Sequence, residues 1–417
     1  MNKSWILFSL LNFLIAAFMG LVLRGAFVWE ISWLDYRNMM HGHSHVAMLG
    51  WVYLALYGLI GYLVIPAEKW NRPIYSRLFW FTQFCVVGMM VSFPLQGYGA
   101  VSITFSALHI LASYLFVYLV WRDQQAKHPE ITLLIKTASV FMVVSTIGVW
   151  SLGPLTLSGG RSSTLYQLAI QFYLHFQFHG WFTFVVLALV MHVITKNSLM
   201  NKNIFRKFYF LLVASVVLTY GLVLAWGMGG SIPLLINGLG LVLQLMALFL
   251  FFMLVRAING GLFQSFSPSA RAFYQFGLVS WLVKVAIQSI VLLPAAAVVS
   301  FTIRSFMIGF IHLTMLGFIS GLLFALLLGS MGVMMDNRRT YAASTVFISG
   351  FVLTELLLFG QGLFYWFQWG QLPAFYELIF GASVLLPLSI LMFIIEWIRQ
   401  LKLKTINHAK ANLTSYP

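Results

Sequence analysis

The stretch YRNMMHGHSHVAMLGW, Tyr36 to Trp51, sets His41, His43 and His45 within five positions and then opens into an unbroken apolar run. At roughly 20 residues the run is long enough to cross a hydrocarbon core. Histidine is rare where lipid is the solvent, so three of them at the mouth of such a run mark a site as well as a span. Similar runs recur along all 417 residues, which are 61% hydrophobic and 8% charged, with a mean hydropathy of +0.92. A water-soluble domain of that composition would expose large apolar patches. The chain therefore reads as one all-α integral membrane domain, 1–417, that is solvated by a lipid bilayer. Twelve transmembrane helices are expected: Trp5–Leu23, Asn38–Val64, Leu78–Pro94, Val101–Trp121, Ile131–Leu152, Leu165–Thr195, Phe208–Trp226, Ile232–Val255, Ala272–Pro294, Ser305–Met334, Ala342–Trp366 and Ala374–Trp397.

The net charge of +15 is a matter of topology rather than of a nucleic-acid partner. With the N-terminus inside, 19 of the 24 Lys and Arg fall in cytoplasmic segments, Arg24, Arg37, Arg161 and Arg304 fall outside, and Lys284 lies within a span. The positive-inside rule then puts both termini in the cytoplasm, and the first apolar stretch reads as a retained helix. Multi-pass insertion in a bacterial inner membrane is the expected location. The single cysteine, Cys85, rules out a disulfide framework, a thiolate zinc cluster and covalent haem attachment through CxxCH.

The opening stretch recurs at Ile303–Phe318, IRSFMIGFIHLTMLGF. Counted from Arg37 and Arg304, Met40, Gly42, His45, Met48, Leu49 and Gly50 match Met307, Gly309, His312, Met315, Leu316 and Gly317, seven identities over fourteen positions with the arginines. A weaker copy, HFQFHGW, keeps His175, Gly180 and Trp181 in the same H-x4-G-aromatic frame. The copies fall on the second, sixth and tenth spans. The helices thus divide into three pseudo-equivalent four-helix units, about 1–130, 131–256 and 257–399, followed by a cytoplasmic tail, 400–417. Each key histidine lies about eight to ten residues, or roughly 12–15 Å, below the outer end of its helix. The glycine beyond it removes bulk where a flat cofactor or a neighbouring helix needs room.

Two equivalent imidazoles at one depth, His45 and His312, suit axial ligation of one low-spin b-type haem from both faces. Arg37 and Arg304, about 12 Å above along each helix, are at a level suited to haem propionates. His175 and His179, four apart, share a helix face and could grip a copper or non-haem iron ion, with a third ligand from His43, His41 or His109. The competing reading is a polar cavity with Gln167, Gln171 and Gln177. His41 and His43 are otherwise interfacial residues, and His109 and His192 structural ones; His128 and His408 lie in cytoplasmic segments. Lys284 and Glu355 fall inside spans, where a charge needs pairing, neutralisation or hydration, and a Lys–Glu contact or a proton path both satisfy that need.

This plan resembles subunit I of the haem–copper oxidases, the superfamily that includes the C-type oxidases and nitric oxide reductases. The resemblance implies that His45 and His312 are the low-spin haem ligands and His175 the first ligand of an active-site copper or iron. Two departures make it a degenerate member. Phe310 stands where the family has its high-spin haem ligand, and Phe208–Pro233 contains no histidine where the family has its His-His pair. The segments HSHVAMLGW and HLTMLGFISG also resemble NnrS, a haem- and copper-containing membrane family linked to nitric oxide metabolism.

The expected function is a membrane haem protein of electron transfer or of oxygen- or nitric oxide-linked respiration, served by a periplasmic electron donor or a cytochrome subunit. The alternatives are a working oxygen or nitric oxide reductase with an unusual centre at His175 and His179, and a twelve-helix transporter without haem.

Overall fold

Apolar runs of this length can satisfy their backbone groups in a bilayer only as helices or closed barrels, and every regular element among the described residues is helical. The structure, a computed structural model, describes residues 3–195, 200–258, 266–329 and 337–413. Lys196, the expected inner end of the tenth span at 330–334, and 414–417 of the tail lie outside the described residues.

The membrane helices are α1 (Lys3–Gly25), α2 (Tyr36–Val64), α3 (Pro73–Gln96), α4 (Ala100–Asp123), α5 (Pro129–Gly159) and α6 (Thr164–Ile194). They continue as α7 (Lys202–Met228), α8 (Ser231–Ile258), α9 (Pro268–Ile290), α10 (Arg304–Gly329), α11 (Arg338–Trp366) and α12 (Phe375–Leu413). Their starts are chemically marked. Asp35 caps α2 by accepting from the Asn38 amide, and Ser163 and Asn337 do the same for α6 and α11. Eleven of these helices are long and apolar enough to cross a membrane. A twelfth span exists if Pro268–Ile290 and Ala295–Thr302, bent by 116° to one another, count as one. The break falls at Pro294, which cannot continue the ladder and instead starts the short helix Pro294–Thr302.

Helices α2, α6 and α10 touch one another at the centre, and the other nine surround them. In the most apolar windows of these three, 83%, 89% and 83% of residues are buried inside the protein, against 39–56% for the other spans. The chain closes on itself, α12 packing along α1. Aromatic side chains fill the core beyond the N-terminal parts of the central helices: Phe13 stacks on Trp51 at 4.6 Å, and Phe324 stacks on Phe273 and Phe393 at 4.8 and 4.9 Å. At the same level the Trp51 indole Nε1 donates to Ser320 Oγ at 2.9 Å and ties α2 to α10.

Two buried carboxylates fasten helix ends. Asp123, on α4, takes Arg122 at 2.7 Å, Arg72 at 3.8 Å and Lys69 at 3.9 Å, and accepts from the Tyr75 hydroxyl at 2.9 Å. Glu396, on α12, takes Arg399 at 3.8 Å and Arg339 at 3.9 Å. Each acid thus ties its helix to the start of the preceding one.

The glycines of the repeated motif face outward, into the surrounding helices. A Cβ on Gly50 would meet Val86 at 2.9 Å and Asn12 at 3.0 Å; on Gly180, Phe141 at 2.6 Å; on Gly317, Ser280 at 2.7 Å and Phe351 at 2.8 Å. Of the two roles the sequence left open, the room is taken by a neighbouring helix. Gly180→Ala is expected to cost about 1–3 kcal/mol through overpacking, because Phe141 Cβ is backbone-anchored and cannot swing away. Gly153→Ala, where a Cβ meets nothing within 4 Å, is expected to be neutral or stabilising. Thermal unfolding in detergent separates the two.

Candidate functional site

His45, His175 and His312 share one local geometry. Each ends the α-helical N-terminal part of its helix, and the next residue begins a π-helical stretch: Val46–Tyr53, Phe176–Phe182 and Leu313–Ser320. Such i→i+5 segments are rare and concentrate at functional sites. Burial changes at the same place. From Val46, Phe176 and Leu313 inward nearly every residue through Gly61, Met191 and Leu328 is buried. Outward of these points most residues are half-buried or exposed. The three central helices are therefore tightly packed below the histidines and loosely packed above them.

The histidines of α2 point to different places. His43 and His45 are two residues apart, about 200° around a helix, so one site cannot hold both. His43 turns toward α1. Its Nδ1 lies 2.8 Å from the Ala16 carbonyl, so the ring donates from Nδ1, and Nε2 has no hydrogen bond. Gly20 makes the space, since a Cβ there would lie 2.9 Å from His43 Cε1. His312, on α10, has His43 and Arg24 within electrostatic reach. Its Nδ1 is 4.0 Å from Glu355 Oε1, and neither Glu355 oxygen has a hydrogen-bond partner. Beyond this group Arg304 lies over the Tyr36 ring at 5.5 Å and donates toward Met40 Sδ at 3.7 Å, bringing the N-terminal ends of α2 and α10 together. Arg24 and Arg304 feel each other's charge, and no carboxylate lies within ion-pair distance of either among the described residues.

His45 faces the other way, with α3 and α4. Its Nδ1 donates to the His41 carbonyl at 2.8 Å, and its ring stacks on Phe93 at 4.1 Å. His41 packs on Tyr98 at 4.7 Å, and burial pushes the Tyr98 phenol up to about 12. His109 is buried against Tyr53 at 4.8 Å, is hydrogen-bonded to the Leu49 backbone, and has no partner for Nε2. Arg37 is exposed and within reach of His41 and Tyr98. Of the residues expected from the sequence, the structure thus brings His312, Arg304 and His43 together and sets His45 and Arg37 on the opposite face of α2. Arg24, Gly20 and Glu355 complete the first group. Sequence reasoning passed over Arg24 and Gly20, although their spacing of four on one helix face was a usable signal.

On α6, His175 and His179 do meet, with ring centroids 4.9 Å apart. Each is already engaged: His175 Nε2 donates to the Val216 carbonyl at 2.8 Å, and Lys284 Nζ lies 3.1 Å from His179 Nδ1. Phe310 closes the group, 6.3 Å from His179 and 5.9 Å from Lys284 Nζ. Lys284 and Glu355 therefore answer to different histidines, and the Lys–Glu contact considered from the sequence is not formed. Of the glutamines considered with this pair, Gln177 donates to Ser145 and Gln167 to the Arg161 carbonyl. Among the described residues no group of three His, Cys, Asp or Glu side chains is placed to hold a metal ion. The chain matches no known family model and no curated protein.

Proposed function

We propose that the chain is a multi-pass b-type haem protein of a bacterial inner membrane, related to the haem–copper oxidase core and acting in electron transfer or in oxygen- or nitric oxide-linked respiration. The reading places the haem in the outer half between α2 and α10. The observation that carries it is that His43 and His312 lie within electrostatic reach of one another, His43 held at Nδ1 by the Ala16 carbonyl and His312 with its Nδ1 4.0 Å from the Glu355 carboxyl. Metal-bound histidines characteristically give their other ring nitrogen to a carbonyl or a carboxylate, the roles that Ala16 and Glu355 would have for His43 and His312. The geometry favours His43 over His45 as the α2 ligand, because His43 is on the face turned to Arg24 and His312. Arg24 and Arg304 would pair with the two propionate carboxylates, for which guanidinium is the fitting partner.

When bound, the haem supplies reversible one-electron chemistry. The protein's part would be to hold the haem through the His43 and His312 imidazoles and to limit access of small molecules to it. His43 is seated by Gly20 and Ala16, and Glu355 would steer His312 by closing the 4.0 Å to its Nδ1. A site near the outer face suits a periplasmic donor or a cytochrome subunit. The π segments after His45, His175 and His312, and the matching carboxylate clamps on α4 and α12, support three pseudo-equivalent units. The distribution of basic residues supports cytoplasmic termini.

A pyridine haemochrome assay on detergent-purified protein, expressed with haem available, tests the reading. About one b-type haem per chain is the expected content for a single bis-histidine site. Haem-free protein of native mobility would leave the twelve-helix transporter as the better account.

A further inference from the structure

We propose that the amine of Lys284 takes the place of a metal ion at the paired histidines of α6, so that this site works without copper or iron. The family resemblance implies an active-site metal there, and the donor set does not fit one. His175 gives Nε2 to the Val216 carbonyl, which leaves it only Nδ1. The Nδ1 of His179 faces Lys284 Nζ at 3.1 Å, a hydrogen-bond distance, and so its lone pair is directed at an amine. With those two nitrogens engaged, a metal would find only His175 Nδ1 and His179 Nε2; it needs at least one further protein ligand, and among the described residues no third His, Cys, Asp or Glu is in position.

Lys284 is held there by the fold. It is 1% exposed, within α9, and α9 packs along α10. On one side its amine meets His179, and on the other the face of Phe310, a surface that attracts cations. Phe310 is also the position where the resemblance implies a haem-ligating histidine. Both halves of a reducing centre are thus replaced at one spot, one by an amine and the other by an apolar ring. An ammonium here would also repel any incoming divalent ion. The chain's redox work then rests on the site between α2 and α10, and the α6 site serves to join α6, α9 and α10.

The test is metal content. Full-length wild type and Lys284→His, from cells supplied with copper, zinc and iron, are measured by elemental analysis, with haem iron subtracted by haemochrome assay and folding checked by size-exclusion profile. Wild type is expected to hold no copper or zinc and no iron beyond its haem. Lys284→His, which supplies a third imidazole, is expected to gain about one copper or zinc per chain, and a further His179→Ala change to remove it. Stoichiometric non-haem metal in wild type that is lost in His179→Ala would overturn the proposal. So would a monodisperse Lys284→His that takes up none, since the amine would then not be what keeps the metal out. If Lys284→His does not fold, the wild-type measurement with His179→Ala decides alone.

Discussion

His312→Ala is expected to strip the protein of haem. Loss of a supporting residue outside the coordination shell already costs about 10–100-fold in metal affinity, and loss of an axial ligand costs at least that. His43→Ala should behave alike, because its Nε2 is the uncommitted imidazole nitrogen on the α2 face shared with Arg24 and His312. His45→Ala should keep the haem, since that ring is turned away onto Phe93. The haem-to-protein ratio of the three purified variants reads the outcome. Loss in His45→Ala with retention in His43→Ala would reverse the ligand assignment on α2.

Glu355→Gln is expected to weaken haem retention by about 10–100-fold while the fold stays intact. Glu355 Oε1 lies 4.0 Å from His312 Nδ1, and neither of its oxygens has a hydrogen-bond partner. A carboxylate at that nitrogen raises the basicity of the imidazole and favours oxidised iron, so the amide should also raise the midpoint potential. A potentiometric titration of the haem band checks the sign. A lowered or unchanged potential with full haem occupancy would remove Glu355 from any role in orienting His312.

Much of this was legible in the sequence, for definite reasons. The spans follow from hydropathy, because a bilayer leaves helices as the outcome for such runs. The prominence of α2, α6 and α10 follows from the shared H-x4-G-aromatic frame, and the structure gives that frame a common meaning in the three π segments. Three things were not legible. The π geometry leaves no mark in a hydrophobic pattern read at 3.6 residues per turn. Arg24 reads only as one of the basic residues outside the spans until α1 is seen to bring it, with Gly20, against His43. Lys284 and Glu355 read as a mutual contact or as parts of a proton path, because charges within spans invite either, whereas in the fold Lys284 meets His179 at 3.1 Å and Glu355 lies 4.0 Å from His312. The ninth span, expected over Ala272–Pro294, ends as a helix at Ile290, and the sharp turn into the short helix from Pro294 leaves no mark in hydropathy because the residues on both sides are apolar.

The most direct measurement of the central claim is a dithionite-reduced minus oxidised spectrum of the purified wild type, recorded without and then with carbon monoxide. With both axial positions filled by histidine, a sharp low-spin b-type signal that carbon monoxide leaves unchanged is predicted. No haem signal, or a signal that shifts fully on adding carbon monoxide, would contradict a six-coordinate haem held between α2 and α10.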